Sequence, residues 1–71
     1  MDHTCEECAR LCREYADALM AHIRLRSKLE IAVLSHERSI VEELAPKVAT
    51  AAQVRELART ALRTHEAAAH P

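Results

Sequence analysis

Cys5, Cys8 and Cys12 lie three and four residues apart near the start of the chain. On a helix that spacing stacks all of them on one face over the first two turns. Thiolates so placed can chelate one ion, and soft sulfur ligands favour zinc or copper(I). His65 and His70 stand near the other end of the chain. Two sulfurs and two imidazoles complete a tetrahedral structural zinc site, so the expected ligands are Cys5, Cys8, His65 and His70, with zinc as the cofactor. The two histidines are five residues apart, so on a continuous helix they point in different directions. His70 joins only if its helix ends soon after Glu66; otherwise Cys12 or His3 is the alternative fourth ligand.

Two other readings of the thiols compete. Free cysteine packs as a small hydrophobe, and Cys8 and Cys12 fall on the apolar stripe of their helix. Cys5 and Cys8 can also be read as a redox pair. A helix start lowers a thiol pKa, whereas Glu6 and Glu7 alongside raise it and oppose reactivity.

The remaining polar residues read more plainly. His22 sits in mid-stripe, where a core histidine bonded to a neighbour is the simpler role than a ligand or pH switch. His36 reads as a solvated turn residue and Tyr15 as a packing anchor. Arg55, Arg59 and Arg63 line one ridge and call for facing acids, in the first helix or on a partner. An early turn would set Arg59 and Arg63 near Glu14 and Asp17. There is no Glu-x-x-His pair, no base arranged beside a serine or threonine and no phosphate loop, so the expectation is not an enzyme.

Two helices must position these groups. Thr4 with Glu7 makes a capping box. Cys8, Tyr15, His22 and Leu29 recur every seven residues, and Leu11, Ala18, Leu25 and Ala32 form the adjacent row. Cys12, Leu19 and Val33 add a third row broken by Arg26. The second half shows a broad face of Ile40, Val41, Leu44, Val48, Ala51, Val54, Ala58, Ala61, Leu62 and His65. The turn has two candidate positions. One is Ser35 to Ser39, with Ser39 and Glu42 as a second capping box; the other is Ala45-Pro46-Lys47. Equal arms bury more within one molecule, which favours the first. The expected fold class is all-α: a single antiparallel helical hairpin over 1–71, helix 1 about 5–34, turn about 35–39, helix 2 about 40–67. Residue x then lies beside roughly residue 74 − x, estimated from two straight helices of ~1.5 Å rise, and His65 comes next to Cys8 and Cys12.

Composition narrows the classes. The chain has 71 residues, 49% hydrophobic and 30% charged, with no glycine, tryptophan or phenylalanine and Tyr15 as its one aromatic. Such a chain has little area to bury, and domains below about 70–80 residues need a staple such as a metal or a second copy. A homodimer closing a four-helix bundle is the expectation, with a protein partner as the rival use of the exposed stripe. Ten basic residues are balanced by eleven acidic ones, for a net charge of −1, so no nucleic-acid partner is expected. No apolar run is long enough for a membrane, and the acidic start lacks a signal core, which points to the cytoplasm.

Cys5-x-x-Cys8 followed by Leu11 and Tyr15, then Arg55, Ala58, Ala61-Leu62 and His65, resembles a group of short bacterial two-helix hairpin proteins of unknown function. The resemblance implies a two-helix fold turning near Ser35-His36, where that group carries a more turn-like glycine pair. The second terminal histidine stands one residue late. No activity is implied.

Overall fold

A computed structural model describes residues 5–69. It contains α1 (Glu6–Leu34) and α2 (Arg38–Ala69), packed along their length as an antiparallel hairpin. The turn therefore falls at the earlier of its two candidate positions. α2 begins two residues sooner than expected, so Ser39 lies inside its first turn and is not its cap.

The reversal is made without glycine. The amide of Glu37 donates to the carbonyl of Ala32 at 2.9 Å, and that of His36 donates to Val33 at 3.1 Å. This is the Schellman pattern that closes a helix C-terminus, and it requires one residue in the left-handed region. His36 takes that role with φ 58°. At the other end of α1 the cap is Cys5, whose sulfur accepts the amide of Cys8 at 3.3 Å. The expected cap, Thr4, lies outside the described residues.

The packing seam follows a strict alternation of three and four residues. In α1 it comprises Cys8, Leu11, Tyr15, Ala18, His22, Leu25, Leu29 and Ala32. In α2 it comprises Val41, Leu44, Val48, Ala51, Arg55, Ala58, Leu62 and His65. Every one of these is buried or half-buried. Helices with that period wrap as an antiparallel coiled coil, with side chains of one helix set between those of the other.

Three expectations are corrected by this seam. Ile40, Val54 and Ala61 are exposed, because they flank the seam instead of lying in it. Cys12 is exposed for the same reason, one position past the seam. Arg55 takes the place expected of Val54. Its aliphatic stem packs between the helices, and its guanidinium Nη1 donates to Nδ1 of His22 at 3.3 Å. An arginine has only donors, so this geometry assigns the acceptor lone pair to Nδ1 of His22. His22 is the one buried polar side chain among the described residues, and it is a satisfied core histidine as its position in the stripe implied.

Pro46 lies within α2 and does not end it. The Glu42 carbonyl loses its usual helical amide donor there, a cost of ~3 kcal/mol in a helix interior. The pairing of α2 with α1 along both flanks of the proline holds the helix through this point.

Candidate metal centre

Cys5 caps α1 and Cys8 follows one turn later in the seam. His65 is on the last turns of α2, opposite them. The sulfur of Cys5 lies 3.3 Å from Nε2 of His65. The ligand atoms of Cys5, Cys8 and His65 all lie within 4.8 Å of one another, and each of the three residues is half-buried. In tetrahedral zinc, with sulfur at ~2.3 Å and nitrogen at ~2.0–2.1 Å, donors are about 3.5–3.8 Å apart. The cluster thus needs adjustments of about an ångström or less to take an ion. Its two sulfurs and one imidazole are a borderline-soft set suited to zinc, and to copper(I) as the competitor.

The local electrostatics are shaped by the same packing. The hydrogen bond with Cys5 is the main reason that the Cys8 thiol is pushed up to about 11; burial and the charges of Cys5, Cys12 and Glu66 add to it. At neutral pH Cys8 therefore keeps its proton until something displaces it. The Cys5 sulfur stands at the positive end of α1 and accepts a backbone amide there. Glu7 lies close enough to feel His65, but Arg10 holds its carboxyl below the usual range chiefly by hydrogen bonding. Arg10 also donates to Glu14 at 2.6 Å, and this exposed trio runs along the outside of α1 beside the cluster.

Of the expected ligands, the fold brings together Cys5, Cys8 and His65. His70 and His3 lie outside the described residues. α2 continues to Ala69, past the end near Glu66 that a role for His70 required. Cys12 points away from the cluster's seam and is exposed. Arg59 bonds Glu56 of its own helix at 3.5 Å, and Glu14 is held by Arg10, so the expected pairing between those two is replaced by contacts within each helix. The residue that sequence reasoning misplaced is Arg55. The signal that finds it is the three-four spacing carried through Val41, Leu44, Val48 and Ala51, which lands on 55 and not on 54.

The fold and cluster define a class: a glycine-free α-helical hairpin in which the start of α1 and the last turns of α2 meet at a Cys2His group able to hold a metal ion. No protein-family model, curated protein or solved structure matches the chain. No helix among the described residues is long and apolar enough to cross a membrane.

Proposed function

We propose that this chain is a non-enzymatic, metal-stapled helical hairpin that holds zinc through the thiolates of Cys5 and Cys8 and Nε2 of His65. The observation that carries this reading is the convergence of those atoms from residues 60 apart in sequence. A chance meeting of core side chains has no need of two sulfurs and an imidazole on one point, at the end of the hairpin remote from its turn. Zinc bound there ties the first turn of α1 to the last turns of α2 and makes metal binding part of the folding free energy. The fourth coordination position falls to water or another exchangeable ligand. Its exchange gives the clamp a regulatory character.

The raised thiol takes Cys8 out of the running as an attacking nucleophile, which leaves Cys5, at the helix start, as the group on which a redox reading would rest. A thiol near 11 is a poor nucleophile at neutral pH, and reactive cysteines lie well below the free value of about 8.5. A metal, by contrast, displaces that proton directly, because a coordinated thiol is deprotonated.

Cobalt(II) titration of untagged protein tests the proposal. One equivalent per chain should give tetrahedral visible bands and a sulfur-to-cobalt charge-transfer band, and zinc should bleach both. Cys5→Ser and Cys8→Ser should each weaken the charge-transfer band, and His65→Ala should shift the visible bands. Binding below a tenth of an equivalent, or spectra unchanged in all three variants, would reject it.

A further inference from the structure

The hairpin has more surface than its mass calls for. A compact 8.0 kDa monomer exposes about 4,450 Å², whereas this chain exposes 5321 Å². The excess is of the same size as the ~800 Å² that each partner buries in a standard interface. The core is correspondingly thin: among the described residues Leu11, Ala18, His22 and Ala32 are the buried ones, and no large side chain falls below 2% exposure. The molecule is 54 Å long and 17 Å wide, a face large enough to supply such an interface.

One side of the seam carries the missing contact surface. Two open grooves run end to end along it and share Ala18 and Val54. The central groove, about 470 Å³, is walled by Ala18, Ala21, Leu25, Pro46, Ala51 and Val54. Its continuation towards the cysteine end adds Leu57, Ala58 and Ala61 and finishes at Glu14 and Asp17. At its turn-ward end stands Lys47 of α2, loosely paired with Glu43 of its own helix at 3.5 Å, and Lys28 lies on α1 seven residues past Ala21, beyond the groove's lining. Glu14, Ala21 and Lys28 are spaced by seven residues each, so the acid and the base lie about 10 Å on either side of Ala21 along one ridge. Arg10 offsets one charge at the acidic end, and Glu7, Glu14 and Asp17 leave it net negative.

We propose that a second copy of this chain occupies this face. The two hairpins stack antiparallel, α1 on α1, about a two-fold axis passing near Ala21. This operator sets Glu14 of each copy opposite Lys28 of the other and brings Lys47 towards the acidic end of the other copy. It buries Ala21, Leu25 and Val54 at the centre, where small side chains allow helix axes to approach within the usual ~8–10 Å. The parallel alternative is disfavoured by charge, since it sets Lys47 beside the other copy's Lys28. A two-fold contact is isologous, so the same patch must complement itself when reversed, and the acid–alanine–base order does so. The proposal stands apart from the metal: the cysteine ends lie at opposite ends of the dimer.

Sedimentation equilibrium on the full chain, with chelator and with zinc, should give a dimer at tens of micromolar in both conditions. Glu14→Lys and Lys28→Glu should each raise the dissociation constant tenfold or more. The double exchange, Glu14→Lys with Lys28→Glu, should restore it. Ala21→Cys, in a chain with Cys5, Cys8 and Cys12 changed to Ser, should form a disulfide-linked dimer on mild oxidation, because a residue at the axis meets its own copy. Helicity by circular dichroism confirms that each variant folds. A helical monomer at 100 μM for the unsubstituted chain would overturn the proposal. So would a dimer indifferent to both charge reversals but broken by Ala52→Glu on the other side of the seam.

Discussion

His65→Ala separates binding zinc from clamping with it. In the folded chain the imidazole is the only member of the cluster contributed by α2; both sulfurs belong to the first turns of α1. Closing a loop between residues 60 apart restricts the unfolded chain by up to about 4 kcal/mol on the loop-entropy model. Mass action sets what is realised: zinc at a hundredfold excess over its dissociation constant stabilises by ~2.7 kcal/mol. A domain of this size shifts its Tm by about 4–8 °C per kcal/mol, so saturating zinc should raise Tm by roughly 10–20 °C. In His65→Ala the two thiolates still share one helix and can retain a weakly held ion. That ion closes no long loop, so most of the rise should vanish while residual metal remains. The assay is thermal unfolding by circular dichroism at fixed protein concentration, with zinc buffered at known free levels and a chelator control. The reasoning fails if His65→Ala keeps the full zinc-dependent rise. It fails equally if the unsubstituted chain gains less than about 2 °C at saturation.

Other outcomes follow from the same geometry. Because Cys8 holds its proton up to about 11, zinc binding should release that proton, with any carried by the other ligands, and weaken at least about tenfold per unit as pH falls through the neutral range; an affinity independent of pH would contradict this. Without metal the sign reverses. The folded chain binds the Cys8 proton more tightly than the unfolded chain, whose thiol titrates near 9, so stability should decline between about pH 9 and 11, and Cys8→Ser should flatten that part of the profile. Arg55→Leu should cost ~1–3 kcal/mol by leaving Nδ1 of His22 unsatisfied in the seam, whereas the double change Arg55→Leu with His22→Leu should be close to neutral, as read by a denaturant double-mutant cycle. Pro46→Ala should raise the urea midpoint, gaining up to ~3 kcal/mol, because the exposed site recovers an amide donor for Glu42.

Much of this molecule is legible in the chain itself. The seven-residue recurrence of Cys8, Tyr15, His22 and Leu29, with its companion row from Leu11 to Ala32, specifies the packed face of α1, because a helix has a fixed period and apolar groups leave water. The preference for equal arms placed the reversal at Ser35 and not at Pro46, and the midpoint turn alone brings His65 to the cysteines. What spacing could not decide was the detail that depends on two helices meeting. Whether 54 or 55 enters the seam turns on a rotation of one residue, and hydrophobicity alone chose valine. The fold chose arginine, since only that side chain reaches His22 while its stem fills the gap. The same rotation took Cys12 out to solvent and left Cys5, an end-cap with no place in the stripe, against the imidazole. A linear pattern records which residues avoid water. The partner helix, by its phase and its register, determines which of them touch.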